Sequence, residues 1–431
     1  MDYSVAYQKQ IPSLGNYDVV VLGGGPAGVC AAAQAARSGS KTLLVESTGM
    51  LGGMATSSLV GPFMTNYDRD GNRPLVGGMY REIIARMEKK GSALSPDVMD
   101  SPSLYTSFIE KYHRHVAPFD PFMLQVELDY LLEEAGAEVL LYARFADCLV
   151  EDGKIQSVIL ACLEGLRSVE AKVFIDCTGT ASVAAAAGVS CWKGEEGTGI
   201  PQPGTLMFTM ENVDDDAYNA FGQRPERPVK AYRTPQKGQY TVNHYHVYSI
   251  DSSDSRQMSA AHKEARRQVL DAYHVLHDKT PGFENAYIGQ VASVLGVREN
   301  RHIEGTYTIT TEDIMHGTKF EDRIAAYGFG MDIHGRTPEV RGNFKIEIAE
   351  AYYVPYRSMV PLNCDNLLVA GKTISCQSQA AGGLRCMPCA MAMGQAVGLA
   401  ANMAINADVL VADVNIPELQ KNLLALGAIL D

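Results

Sequence analysis

The sequence predicts an α/β fold: a domain with a parallel central sheet and a crossover β-meander, interrupted by an inserted α+β domain. Three observations carry that expectation. First, the apolar run Val19-Val20-Val21-Leu22 leads into Gly23-Gly24-Gly25-Pro26-Ala27-Gly28, then an Ala-rich helical stretch, then a second apolar run closed by Glu46. Second, Glu151-Asp152-Gly153-Lys154 is a hairpin signal between two strand-like runs, and a further strand ends in Asp176-Cys177-Thr178-Gly179. Third, after residue 195 the long apolar runs give way to segments rich in Asp, Arg, Tyr and His, and the apolar character returns only near residue 350.

Strand, glycine turn, helix, strand, acid is the order of a Rossmann-like dinucleotide-binding unit. Gly23 permits a tight turn off the strand, Gly25 lets the backbone approach a pyrophosphate, and Gly28 lets the helix lie against the sheet. Pro26 and Ala27 open that helix, whose free N–H groups and partial positive charge face the phosphates. Glu46, followed by Ser47, accepts ribose hydroxyls and repels a 2′-phosphate, which argues against NADP. The pair Gly52-Gly53, within Leu51-Gly52-Gly53-Met54-Ala55-Thr56, lets backbone pass close to a cofactor. Simple NAD dehydrogenases need no such pair, so the expected cofactor moves from NAD to FAD.

The remaining elements follow in chain order. Residues 1–16 read as an extension without the apolar core of a signal peptide. The FAD-binding domain takes 17–65, 114–195 and 350–410, with a helical cap at 66–113 that includes a capped amphipathic helix in the stretch Gly77–Met87. Asp120 and Pro121 begin a helix reaching Gly136. Strands are expected at 139–142, 146–150, 155–160 and 172–177. Thr178-Gly179 then brings bare backbone to the pyrophosphate side before the helix 182–187. The inserted domain, 196–349, holds expected strands at 205–210 and 244–250 and a polar helix at 256–277. A buried strand at 366–371 precedes a helix from Pro388 that is apolar on every side, and its N-terminus suits an isoalloxazine. Gly394 and Gly398 in that helix allow close packing, and residues 411–431 end the chain with an amphipathic helix.

Composition narrows the function. A net charge of −13 argues against a nucleic-acid or membrane-surface partner. No run approaches the length of a bilayer span. Nine cysteines, an odd number in scattered apolar settings, suit reduced thiols and a cytoplasmic protein. No cluster has metal-ligand spacing, so no metal is expected. The chain lacks a second Gly-x-Gly-x-x-Gly, which argues against a separate domain that docks NAD(P)H. Asp332 and His334, two apart, share one face of a strand, as do His244 and His246. On spacing alone, a solvated face and a satisfied core histidine account for both pairs.

The motifs together carry a resemblance. Gly23-x-Gly25-x-x-Gly28, Leu51–Thr56, Asp176–Gly179, Gly296-Val297-Arg298-Glu299-x-Arg301, Met331–His334, Pro355–Ser358, Asn366–Gly371 and Arg385–Gly398 resemble the FAD-dependent oxidoreductases of the glutathione-reductase-like two-dinucleotide-binding superfamily. The likeness is to the prokaryotic branch of that superfamily, whose substrates are unassigned. The resemblance implies tightly bound FAD, with Asp332, His334, Arg357 and Arg385 near the flavin. The expected cofactor contacts also include Ala146, Gly371, Met387 and Gln395. One position departs from the pattern: Thr180 stands where an acid usually follows Thr-Gly.

The expected activity is hydride transfer between flavin N5 and a small polar molecule, carbohydrate-like or an organic acid. His334, steered by Asp332, would be the general acid/base, and Arg298, Arg301, Arg357 or Arg385 would hold the substrate. The electron acceptor or donor is open, and a homo-oligomer is compatible. A fumarate-reductase-like C=C reductase or dehydrogenase stays in play. So does a thiol-redox or electron-transfer role through Cys386-Met387-Pro388-Cys389, with Cys364 and Cys376 upstream. A flavin-binding regulatory protein without turnover is the third class.

Overall fold

The computed structural model describes residues 8–98, 114–221, 229–340 and 343–431. Its main sheet has seven strands: β1 (Ser13–Leu22), β2 (Thr42–Val45), β3 (Glu138–Leu140), β4 (Arg144–Glu151), β5 (Lys154–Cys162), β6 (Gly165–Asp176) and the strand Leu367–Val369. The order is β3-β2-β1-β6-β5-β4, with Leu367–Val369 also paired to β6. β1 runs parallel to β2 and to β6, and β2 parallel to β3. β6 does two jobs along its length. Its first half pairs antiparallel with β5, and its last residues, Phe174–Asp176, pair parallel with Leu367–Val369. β4, β5 and β6 are the expected crossover meander, turned at Asp152 and Gly153, whose φ values of 48° and 74° suit a two-residue hairpin.

That length of β6 also corrects the N-terminal boundary. β1 begins at Ser13, inside the expected extension, because β6 offers Ser168 and Glu170 as partners for Ser13 and Asn16.

Helix α1 (Pro26–Arg37) has Gly25 as its N-cap and Pro26 at its first position. It packs along the helix Met387–Ala407, the most intimate helix pair among the described residues. A Cβ on Gly394 would lie 2.0 Å from the Ala27 carbonyl oxygen, and one on Gly398 would lie 2.2 Å from that of Ala31. Only glycine fits at either position. Because 27 meets 394 and 31 meets 398, the two helices are parallel. Their starts are offset by six residues, about 9 Å at the α-helical rise. Among the described residues, Met387–Ala407 is long and apolar enough to cross a membrane, yet 83% of that window is buried inside the protein. Here it is the central helix of the core.

Helix α2 (Gly78–Lys89) lays Met79, Tyr80, Ile83, Ile84 and Met87 against this same core, between Met387–Ala407 and the helix Pro121–Ala135. The expected cap at 66–113 is therefore joined to the nucleotide domain through this helix; its residues 99–113 lie outside the described residues.

The second core is smaller. Its sheet runs Tyr287–Val291, Phe208–Glu211, Tyr240–Val242, Ala231–Arg233, covered by the helix Ser255–Lys279, which Asp254 caps. This core draws on residues 206–297 with Leu59 and Val60, a narrower span than the 196–349 expected from composition. Ile309, Ile324, Tyr327, Met331 and Ile348 instead pack into the main core. The expected strand at 244–250 is irregular: Val247 bridges Gly204, and His246 turns inward.

Gly394→Ala is expected to destabilise the protein by about 3 kcal/mol, because the added methyl meets backbone that cannot rotate away. Thermal unfolding followed by circular dichroism checks this; an unchanged melting temperature would contradict the close helix contact.

Candidate functional site

A cleft of about 390 Å³ runs along the C-terminal ends of β1, β2, β6 and Leu367–Val369, where open α/β sheets bind ligands. Each wall has a local cause. Gly23, at φ 106°, turns the chain off β1 with room for no side chain, since a Cβ there would lie 2.4 Å from the Cys177 carbonyl oxygen. Gly28 tucks α1 against that turn, its Cβ position 1.8 Å from the Gly23 carbonyl oxygen. Gly25 is different: a Cβ there would meet nothing within 4 Å. It borders open space at a helix N-terminus, which is what a pyrophosphate requires.

Glu46 ends β2 buried in the cleft wall. Its Oε2 accepts from the Gly24 N–H at 2.8 Å, and its Oε1 accepts from the Thr48 N–H at 2.8 Å and the Ser47 hydroxyl at 3.0 Å. The carboxylate thus ties the glycine turn to β2 while lining the cleft. Asp176 does the same work at the end of β6, accepting from the Thr178, Val183 and Ala184 N–H groups. Thr180 lines the cleft and bonds the Ser182 hydroxyl at 2.7 Å.

Of the residues expected from sequence, Gly23, Gly25, Pro26, Ala27, Glu46, Ser47, Gly53, Met54, Thr178, Gly179, Gly371 and Met387 line the cleft. Gly28, Gly52, Ala55 and Thr56 stand behind it and shape it; the Gly52 N–H, for instance, donates to the Gly24 carbonyl at 2.8 Å. Two residues sit elsewhere. Ala146 is exposed, because the β4–β5 register slips between Phe145 and Asp147; Ala143, Arg144 and Phe145 face the cleft instead. Gln395 is buried between helices, accepting from the Met79 N–H at 3.1 Å and donating to Gln34 Oε1 at 3.2 Å.

At the far end of the cleft, where Met387–Ala407 begins, lies a polar chain whose middle member, His334, is buried and whose ends, Asp332 and His246, are half-buried. His334 Nε2 stands 3.2 Å from Asp332 Oδ2, and His334 Nδ1 stands 3.0 Å from His246 Nε2. His246 Nδ1 reaches the Tyr245 carbonyl and the Thr205 hydroxyl, both at 2.9 Å. Arg385 lines the cleft and donates to the Asp332 carbonyl at 3.0 Å, with Asp332 Oδ2 at 3.5 Å. Arg298 donates to the Pro203 carbonyl at 2.7 Å and to the Thr205 hydroxyl at 2.9 Å. Lys372 lines the cleft too and donates to the Val297 carbonyl at 2.7 Å.

Burial and positive neighbours set the protonation here. Burial first, then the Arg298 charge, push His334 down to about 3 and His246 down to about 2, so both rings are neutral at pH 7. Burial and Arg385 lower Arg298 to about 9 and Lys372 to about 8. Behind the chain, Gln202 links His334 to a buried ion pair: its Oε1 accepts from the His334 N–H, and its own N–H donates to Glu299, which holds Arg336 at 2.8 Å.

Arg357 and Arg301, expected near the flavin, are placed differently. Arg357 is half-exposed and held by Asp322 at 3.0 Å, over the Tyr307 ring. Arg301 donates to the Thr180 carbonyl at 3.0 Å and so braces the cleft wall from behind. Burial pushes the Cys389 thiol well above its ordinary value, so that cysteine of the Cys-x-x-Cys motif is held as a neutral thiol. Cys364 packs in a separate cluster from Cys376 and Cys389, and no metal-binding group of His, Cys, Asp or Glu occurs among the described residues. Sequence reasoning undervalued His246 and gave no role to Lys372. His246 lies 88 positions from His334, and no local pattern links them.

Gly25→Val is expected to leave the fold intact, since the new side chain enters open space, while copurifying flavin falls at least about tenfold by loss of the phosphate cradle. Flavin absorbance per mole of folded protein measures it, and full retention would rule out the cradle.

The sequence profile for FAD dependent oxidoreductases matches residues 18–423. No curated protein sequence matches the chain. Among solved structures, BexE, studied for oxidation during BE-7585A biosynthesis, is similar at a TM-score of 0.51 and 12% identity, over 96% of this chain and 68% of that one. A triple mutant of the flavin-dependent brominase Bmp2 is similar at a TM-score of 0.50 and 12% identity, over 95% of this chain and 84% of that one. Both likenesses are of fold. With the profile spanning most of the chain and a cleft whose glycine turn, acid and helix N-termini fit the cofactor, the protein belongs to the FAD-dependent oxidoreductase family.

Proposed function

We propose that the protein transfers a hydride between a small polar substrate, carbohydrate-like or an organic acid, and FAD, with Asp332, His334 and His246 handling the accompanying proton. The observation that carries this reading is the carboxylate–imidazole–imidazole chain beside Arg385, at the start of Met387–Ala407. When bound, FAD supplies a two-electron acceptor or donor. Backbone at Gly23, Gly25 and Ala27 would hold its phosphates, Glu46 its ribose, and the start of Met387–Ala407 its ring.

The tautomers follow from the hydrogen-bond partners. The Tyr245 carbonyl only accepts, so His246 carries its proton on Nδ1 and offers the Nε2 lone pair to His334. His334 then donates from Nδ1, and its bare Nε2 faces the Asp332 carboxylate at 3.2 Å. A proton arriving there would be shared between the Asp332 carboxylate and His334 Nε2. Unprotonated at pH 7, the histidine pair cannot donate, and its low proton affinity keeps it a weak base until a bound anion offsets the Arg298 charge. His334 is the middle of this chain, with both ring nitrogens engaged, so Asp332 is the member that would meet the substrate hydroxyl. Burial raises the Cys389 thiol well above its ordinary value, so in the thiol-redox alternative the attacking thiol would have to be Cys386.

His334→Gln is expected to keep FAD while slowing flavin reduction by roughly 100- to 10,000-fold. Anaerobic stopped-flow with polyols and hydroxy acids measures this, and a rate within about threefold of wild type would remove His334 from the chemistry.

The same histidines predict acid sensitivity. Their folded pKa values lie below the unfolded value near 6.5, so on acidification the unfolded chain takes up protons that the native state refuses. Stability should fall as pH drops from 6.5 towards 4, and fall less in His246→Gln. Melting curves across that range that run parallel for both proteins would show that the pair titrates normally.

A further inference from the structure

Resting on the hydride-transfer reading above, we propose that Arg298 and Arg385 form an anion-receiving subsite and that the substrate is a carboxylate. The charges at this end of the cleft do not balance. Arg385 shares Asp332, whose carboxylate also faces His334. Arg298 has only neutral acceptors: the Pro203 carbonyl, the Thr205 hydroxyl and, at 3.5 Å, the Asn243 side-chain oxygen. Among the described residues no carboxylate lies within ion-pair distance of it. Arg385 Nε is buried and has no acceptor at all.

The Asp332 charge reaches Arg298 only from beyond ion-pair distance and is shared with Arg385. A guanidinium enclosed by protein without an ion-pair partner is unfavourable, and a single carboxylate is the smallest group that corrects it. Guanidinium forks match carboxylates in shape as well as charge. Arg298 is half-buried and keeps some accessible surface, and its neighbour Val297 lines the cleft with Arg385. FAD's own phosphates would be held elsewhere, at the start of α1. The helix start beside Arg385 lies about 9 Å further along the packed pair, by the six-residue offset.

The subsite is also coupled to the base. The Arg298 charge is the second cause, after burial, that holds His334 low. A carboxylate on Arg298 cancels that repulsion and raises the affinity of His334 for a proton. Proton removal is thus strengthened when an acidic substrate is in place.

The test titrates the FAD-loaded protein, without oxygen, with glycolate and with its neutral isostere glycolamide, by calorimetry and by the flavin absorbance spectrum. Glycolate should bind at least tenfold more tightly. Arg298→Gln should abolish that preference, and Arg298→Lys should retain part of it. Equal affinity for acid and amide, no binding of either, or a preference that survives in Arg298→Gln and in Arg385→Gln overturns the proposal. The acid–amide comparison on the wild type needs no variant, so a misfolded substitution cannot obscure the answer. The two readings fail separately. If polyols bleach the flavin while glycolate does not bind, the subsite falls and hydride transfer stands. If glycolate binds with charge selectivity but no polyol or hydroxy acid reduces the flavin, hydride transfer falls and the anion site stands.

Discussion

Close, parallel contact between α1 and Met387–Ala407 governs the rest of the structure. Gly394 and Gly398 let one helix backbone rest on the carbonyls of Ala27 and Ala31. Parallel alignment puts both positive helix ends at one side of the sheet, and the offset separates them along the cleft. One end faces the glycine turn after β1, and the other faces Arg385 and the histidine chain. Any side chain at the contact would part the helices and move one charged end relative to the other. The spacing between nucleotide cradle and reactive end is therefore set by packing between two helices, deep in the core, rather than by the loops that line the cleft.

The reactive end works through desolvation. In water Arg298 would be indifferent to its company, and His334 would titrate near its ordinary value. Enclosed together they no longer do so: burial and then the Arg298 charge hold the histidines neutral, and burial and then Arg385 lower Arg298. The Glu299–Arg336 pair, itself buried, fixes Gln202 and through it the His334 backbone. Removing one partner of such a pair leaves an uncompensated charge, so this truss keeps the chain's geometry rigid while its protonation changes.

Much of this was legible in the sequence, and the limits have physical causes. Strand, turn, helix and acid between Tyr17 and Glu46 are local, and their spacing follows from backbone geometry. Gly394 and Gly398 could be read as packing residues because an all-apolar helix must be buried. Ala146 was misplaced by a bulge, which inserts a residue without leaving a compositional trace. Gln395 and Arg357 carry the polarity of site residues, yet their partners, Gln34, Met79 and Asp322, come from distant parts of the chain. His246 was hidden for the converse reason: it looks like a surface histidine until the fold brings it to His334. Pairings of this kind are tertiary, and no periodicity encodes them.

An acidic protein with a proposed anion-receiving subsite poses an apparent contradiction. The net charge of −13 resides largely on the surface, where salt screens each charge within about 8 Å. Arg298 acts over bonding distance in a desolvated pocket, where its field is far stronger per charge. The surface slows the approach of an anion without weakening its hold once bound. Discrimination then rests on dissociation rather than encounter, and a neutral molecule of the same shape loses because Arg298 and the Arg385 Nε stay unmatched.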